Sequence, residues 1–254
     1  MRVAQPKYKR VLLKLSGEVF GGPQQAVDPG VVRGLGSELK EVIGLGVELA
    51  VVVGGGNILR ARTGTTQGIE RAQADYMGML ASVINALALQ DALEGMGVAT
   101  RVMTAIRMDE VAEPYIRRRA IRHLERGLVV ICAAGTGNPY FTTDTAAALR
   151  AAEIGAEVLL KGSTVDGIYD RDPHLDPAAK KLDELDYMQA LTLDLKAMDA
   201  TAISLSRETS LPIILFDIRQ RGNVRRAVMG EKIGSIVSSL GQTDHTSPGK
   251  SQDD

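Results

Sequence analysis

The chain has 254 residues, 44% hydrophobic and 24% charged, with a formal net charge of −1. That is enough apolar chain for a sizeable core, and the near-neutral balance carries no global signature of nucleic-acid or membrane-surface binding. The single cysteine, Cys132, excludes a disulfide framework and points to a reducing compartment. Met1 to Arg10 lacks the apolar core of an export signal, and no uninterrupted apolar run reaches the ~18 residues of a membrane span, so a cytoplasmic protein is expected.

Apolar runs rich in Val, Ile and Leu alternate with helical patterns. The first, Val11–Leu15, follows a short polar segment, 1–8, expected to be a flexible tail. Asp28-Pro29 reads as an N-cap followed by proline at the first helical position, opening a helix that runs to about Gly44. Val47–Val53 is the second strand. Glu70 to Glu94 is a long helix ended by Gly95, and its Met77, Met79, Leu80, Val83, Ile84, Leu87 and Leu89 make it apolar enough for core or for a subunit interface. Val98–Met103 is a strand, Tyr115–Arg126 a helix with a basic side, and Leu128–Cys132 a strand. Thr143–Ile154 is a helix, Val158–Leu160 a strand, Asp199–Glu208 a helix and Ile213–Phe216 a strand. Gly234–Ser238 reads as a last edge strand, and the polar stretch 241–254 as a disordered tail. Continuous rather than alternating apolar strands indicate a mostly parallel sheet covered on both faces. The fold class is therefore α/β, an open doubly wound sheet with helices on both sides. No composition shift marks a boundary, so residues 9–240 are expected to form a single domain with two lobes that divide near 150.

Loops follow four of these strands and, in a parallel sheet, converge on the carboxyl edge. They are Lys14-Leu15-Ser16-Gly17, then Gly54-Gly55-Gly56-Asn57 with Arg60 and Arg62 beyond, then Gly135 to Asp144, then Lys161 to Pro173. A glycine cluster at a strand end lets backbone N–H groups approach an oxyanion unobstructed. Taken singly, the lysine and the glycines could each be ordinary surface and turn features. Their recurrence at successive strand ends favours a phosphate site. Residues 62–68, polar and glycine-bearing, suit a mobile loop near the ligand.

The usual nucleotide fingerprints are missing: neither GxxxxGK[ST] nor GxGxxG occurs. Only His123, His174 and His245 are present, too few for a zinc cluster or a Ser–His–Asp arrangement. An acceptor that is already an anion needs no general base, since a carboxylate is ionised at neutral pH and a phosphate monoester has its second pKa near about 6. Moving a phosphoryl group between two anions is then a matter of charge neutralisation and in-line positioning. Lys14, Lys161, Arg60 and the glycine loops supply cations and N–H donors for that task. Asp144, Asp172 and Asp199 can orient the lysines or help hold a Mg–nucleotide.

Lys14–Gly17, Gly54–Asn57, Ala74-Asp75-Tyr76-Met77-Gly78-Met79-Leu80, Gly135–Asp144 and Val165–Tyr169 together resemble the bacterial uridylate kinases of the amino-acid kinase superfamily. The match runs in order from about Lys9 to Ser238. The Thr136–Asp144 and Asp75 segments resemble the uridylate branch, whereas the lysine and glycine loops are shared more widely. The resemblance implies a three-layer α/β/α fold of the carbamate kinase-like type and Mg²⁺-dependent phosphorylation of UMP by ATP, in a homohexamer serving pyrimidine nucleotide synthesis. It implies catalytic roles for Lys14, Lys161, Asp144, Asp199 and Arg60. Lys14, Leu15, Ser16, Gly17, Gly56, Arg60, Ser163, Tyr169 and Asp172 would contact ATP. Gly55, Asp75, Thr136, Gly137, Asn138, Pro139, Tyr140, Phe141, Thr142 and Thr143 would contact UMP. No protein group is assigned as a direct metal ligand, because Mg²⁺ would be held mainly by the ATP phosphates. Ser163 stands where the family often has threonine, and Tyr140 where phenylalanine is common.

Relatives are regulated by nucleotides, with UTP inhibiting and GTP activating. Arg101 is the candidate effector contact, while Gln90 and Glu94 occupy positions where relatives can be basic, which counts against GTP activation. Two other readings stay open on the residues alone: a kinase of the same superfamily acting on a carboxylate or carbamate, and a nucleotide-binding storage or regulatory protein without turnover.

Overall fold

A computed structural model describes residues 5–59, 68–171, 175–176, 178–193 and 198–239. Arg60, Arg62, Asp172, His174 and the 241–254 tail lie outside the described residues, so the expectations placed on them are not addressed by it. Ahead of the first strand, Tyr8 is buried and the Lys7 N–H donates to the Val228 carbonyl over 3.1 Å.

The strands are β1 (Arg10–Leu15), β2 (Glu48–Val53), β3 (Thr100–Thr104), β4 (Glu113–Pro114), β5 (Val129–Ala133), β6 (Val158–Ser163), β7 (Ile168–Tyr169), β8 (Lys181–Leu182), β9 (Glu184–Leu185), β10 (Ile213–Asp217) and β11 (Ser235–Val237). The helices are α1 (Pro29–Ile43), α2 (Arg71–Glu94), α3 (Arg117–Glu125), α4 (Thr143–Ile154), α5 (Tyr187–Thr192), α6 (Ala200–Glu208) and α7 (Asn223–Val228), with a 3₁₀ turn at Gly17–Phe20. Nine strands form one sheet in the order β4-β3-β5-β2-β1-β6-β10-β11-β9, and β7 and β8 form a separate antiparallel pair. Strands β4 through β10 along this order are parallel, and the reversal comes at β10–β11.

The α/β expectation holds, and its cause is visible strand by strand. Leu13, Leu15, Val51 and Val53 enter a core shared with α1, α2 and α7, whereas Leu12, Ala50 and Val52 enter a second core under α3, α4, α5 and α6. Both faces are buried, so the strands have no polar alternation. The Asp28 cap is present, with its carboxylate accepting from Gly30 N–H at 2.8 Å and Val31 N–H at 3.1 Å. Helix α4 rests on four fully buried alanines, Ala146, Ala147, Ala148 and Ala151, which bring its axis close to the sheet centre.

Two features differ from the sequence reading. The strand near Gly234–Ser238 is the last in the chain but not the sheet edge, because β9 pairs outside it. Helix α2 is long and apolar enough to cross a membrane by length and composition, the one such helix among the described residues. Its Ala74, Met79, Ser82, Asn85, Ala86, Leu89 and Leu93 are buried, as in a core helix lying on a sheet.

Candidate active site

Strands β1 and β6 are adjacent and parallel, and Lys14 is the register partner of Lys161. Both point to the first turn of α4. Lys14 Nζ lies 2.9 Å from Asp144 Oδ1, and Lys161 Nζ lies 2.5 Å from Asp144 Oδ2. Each lysine is only 8% exposed. Burial works against ionisation of Asp144, yet the fields of Lys14 and Lys161 outweigh it and hold the carboxyl below its ordinary value. Burial pushes Lys161 below the usual lysine value, against the pull of Asp144 and with the repulsion of Lys14. One carboxylate thus serves two cations. The two cations and their shared carboxylate stand together at the carboxyl edge of the sheet, with the field of Asp199 also acting on Lys161.

Thr142 caps α4, its hydroxyl accepting from Asp144 N–H at 3.0 Å and Thr145 N–H at 3.3 Å. The cap fixes Asp144 at the helix start, where the macrodipole also favours an anion. Asp199 caps α6 through Ala202 N–H at 2.9 Å and accepts from Thr145 Oγ1 at 2.9 Å and from the Thr142 hydroxyl. It acts on Lys161 through its field and makes its hydrogen bonds to the helix caps.

The glycine loops meet backbone to backbone beside this cluster. A Cβ on Gly17 would stand 2.5 Å from Gly56 N, and one on Gly55 would stand 2.5 Å from the Gly78 carbonyl oxygen of α2. Glycine is required here by close approach rather than by dihedral freedom.

Beyond Gly55 and Gly56 lies a cavity of about 190 Å³ lined also by Asp75, Ser82, Thr136, Phe141 and Thr143. The Asp75 carboxylate accepts from Tyr140 N–H at 2.8 Å and from Arg71 Nε at 3.0 and 3.1 Å. The loop from Gly135 turns through positive φ at Gly135, Gly137 and Tyr140, with values of 57, 80 and 72°. Gly137, Asn138, Pro139, Tyr140 and Thr142 do not line this cavity; Asn138 N–H donates to Thr136 Oγ1 at 3.2 Å. A larger groove, about 870 Å³, runs along α1 past Arg33, Glu38 and Arg219, but it carries neither the lysines nor Asp144.

At the other end, Ser163 closes β6 and its hydroxyl accepts from Val165 N–H at 3.3 Å. Tyr169 Oη donates to Asp166 Oδ1 at 2.8 Å. Arg219 Nη2 donates to the Thr164 carbonyl at 2.5 Å while its Nε holds Asp217, tying the loops after β6 and β10 together.

The model of the amino acid kinase family matches residues 9–217. The chain belongs to the amino acid kinase family. Among solved structures, this amino acid kinase is similar to a UMP kinase from Bacillus anthracis, at 35% identity and a TM-score of 0.88 over 92% of this chain and 97% of that one. A UMP kinase from Ureaplasma parvum aligns at 34% identity and a TM-score of 0.85, covering 91% and 99%. A uridylate kinase from Archaeoglobus fulgidus aligns at 26% identity and a TM-score of 0.71, covering 90% and 99%.

Kinases of this kind need a nucleotide and commonly a divalent metal. Among the described residues, no group of three or more His, Cys, Asp or Glu could hold a metal ion. Asp144 is committed to two lysines and Asp199 to two helix caps, so the donor set does not build a protein cage for Mg²⁺.

Sequence reasoning passed over two buried polar residues of this kinase, Ser82 and Asn85, and named Asn57 only as the end of the glycine loop. Ser82 Oγ accepts from Ala134 N–H at 2.9 Å, Asn85 Nδ2 donates to the Gly54 carbonyl at 2.7 Å, and Asn57 pairs with Asn85. The available signal was their polarity inside an otherwise apolar helix face and directly after a triple glycine.

Proposed function

We propose that this protein transfers the γ-phosphoryl group of ATP to UMP, giving UDP and ADP. The observation that carries the reading is the buried Lys14–Asp144–Lys161 cluster beside a cavity lined by Gly55, Gly56, Asp75, Thr136 and Thr143. A UMP phosphate oxygen attacks the γ-phosphorus, the bond to the β–γ bridging oxygen breaks, and ADP leaves. Lys14 and Lys161 neutralise the transferring phosphoryl while Asp144 holds both in place. Ser16, Gly17, Gly56 and Arg60 bind the ATP phosphates, with Ser163, Tyr169 and Asp172 at its nucleoside end. Gly55 meets the UMP phosphate and Asp75 accepts from the ribose hydroxyls. Thr136 to Thr143 match the donor at uracil N3 and the acceptors at O2 and O4. Mg²⁺ carried by ATP supplies further neutralisation of the phosphate charge. Asp199 stiffens the caps that hold Asp144.

In this reading the acceptor lobe spans about 9–150 and the ATP lobe about 151–240, and the enzyme works in the cytoplasm in pyrimidine nucleotide synthesis. Self-association, up to a homohexamer, is supported by the apolar stripe on the outer face of α2, where Tyr76, Met77, Leu80 and Ile84 are 41, 40, 52 and 51% exposed. Nucleotide regulation is part of the proposal, with UTP as inhibitor and Arg101 as the candidate contact for a purine effector such as GTP. Arg101 is paired with Glu113 at 3.5 Å and Glu94 at 3.9 Å, so an effector phosphate there has to displace carboxylates.

ADP release measured with ATP and UMP, CMP, dTMP, glutamate or aspartate tests the function. UMP-dependent release is expected. Turnover on a carboxylate instead, or tight nucleotide binding with no turnover on any acceptor, overturns it.

A further inference from the structure

The two phosphate loops of this site meet backbone to backbone, and one side chain packs between them. Asn57 follows the triple glycine, and its Oδ1 stands 2.5 Å from where a Cβ on Gly17 would be, so it lies directly against the turn after β1. Its Nδ2 donates to the Ala26 carbonyl at 2.6 Å and to Asn85 Oδ1 at 3.0 Å. Asn85 Nδ2 in return donates to Asn57 Oδ1 at 2.8 Å and to the Gly54 carbonyl at 2.7 Å. Asn85 is 0% exposed. The two amides therefore form a closed pair in which all four polar atoms are used. The pair bonds the loop at Ala26 to Gly54 and to the middle of α2, and packs against the turn at Gly17.

A fully buried asparagine costs stability unless every hydrogen bond is made, and an apolar side chain would pack there without that cost. What the polar pair supplies and an apolar pair cannot is directional restraint on two backbone segments at once. Those segments are the ones that, in the reading above, hold the donor and the acceptor phosphates. In-line transfer depends on the distance between them, and a misplacement of about 1 Å can cost on the order of 10²-fold in rate.

We infer that Asn57 and Asn85 are positioning residues that set the spacing between the ATP and UMP phosphate loops. They touch neither substrate, and act by bonding the Ala26 carbonyl, in the segment that follows the Gly17 turn, to the Gly54 carbonyl at the head of the glycine cluster, with Asn57 packed against Gly17. This inference rests on the UMP kinase reading for its kinetic consequence, but the clamp itself does not.

The test compares wild type with Asn85→Ala, Asn57→Ala, the double variant and Asn57→Asp. Steady-state kinetics with UMP and ATP are read alongside amide hydrogen exchange over 15–22 and 50–59. The prediction is a fall in kcat of about 10- to 100-fold with both KM values within about threefold, and faster exchange in both segments. The double variant should be no worse than the poorer single, since the two act as one unit. Asn57→Asp keeps the acceptor for Asn85 Nδ2 but sets a carboxylate oxygen against the Ala26 carbonyl and Asn85 Oδ1, so it should recover none of the loss. Should Asn85→Ala not fold, the surface-side Asn57→Ala carries the test. Unchanged kcat with unchanged exchange at Gly17 overturns the inference, as does a rise confined to the KM for UMP. If wild type itself shows no UMP turnover, the functional reading fails, and the exchange measurement still decides whether the pair clamps both loops.

Discussion

Lys14 and Lys161 face one another across the β1–β6 pair and close on opposite oxygens of a single carboxylate, Asp144. The register makes this possible, because neighbouring parallel strands place register partners side by side on the same face. Two buried ammonium groups at that spacing repel each other, and Asp144 between them, with the field of Asp199 on Lys161, offsets that repulsion.

Removing one ammonium should therefore cost rate rather than affinity. Lys14→Ala is expected to lower kcat by about 10²–10³-fold, comparable to losing one preorganised donor to a transition-state anion. Stopped-flow or coupled assays at saturating UMP and ATP check this, and a kcat within twofold of wild type contradicts it.

Asp144→Asn leaves two buried cations without their counter-charge, and breaking a buried pair in this way costs about 3–5 kcal/mol. The folded carboxyl sits below its ordinary 3.8, so its contribution is complete above that value and is lost as the pH falls through the lowered folded value. The stability gap between wild type and Asp144→Asn should be constant through neutral pH and should shrink in strong acid. Urea melts at several pH values read it directly.

Lys161 titrates below its ordinary 10.5 because burial disfavours its charge. Its protonated form is the useful one, so kcat/KM should decline on the alkaline side with a pKa below 10.5. A profile flat to the ordinary lysine value removes Lys161 from the free-enzyme chemistry.

Asp75 holds Tyr140 N–H and faces the acceptor cavity. Asp75→Ala should raise the KM for UMP about 10-fold or more and leave that for ATP unchanged, since the lost interactions concern one substrate only. Equal effects on both substrates contradict this placement.

Leu80→Glu on the exposed stripe of α2 should split the proposed assembly, because a charge cannot be buried in an apolar interface unpaired. Light scattering at micromolar concentration checks it, and an unchanged mass contradicts the interface.

Much of this was legible in the chain. The strands are unbroken apolar runs, and the Asp28-Pro29 cap and the glycine-rich strand ends have local causes that sequence displays. The pairing of Lys14 with Lys161 was not, because register between strands about 150 residues apart is set by tertiary packing. Helix α5 spans only Tyr187–Thr192, too short for a periodic signal, although its Asp186–Gln189 capping box was there to find. The two-residue strands β7, β8 and β9 carry no pattern of their own. Asn85 escaped notice because a lone asparagine in an apolar helix looks like a surface residue until its partners are seen.

The most direct measurement of the central claim is ³¹P NMR of ATP and UMP incubated with wild-type protein and with Lys14→Ala. The account predicts conversion of the UMP resonance to the two resonances of UDP by wild type, and a rate lower by about 10²–10³-fold in the variant. Inorganic phosphate as the only product, or equal rates of UDP formation by both proteins, would contradict it.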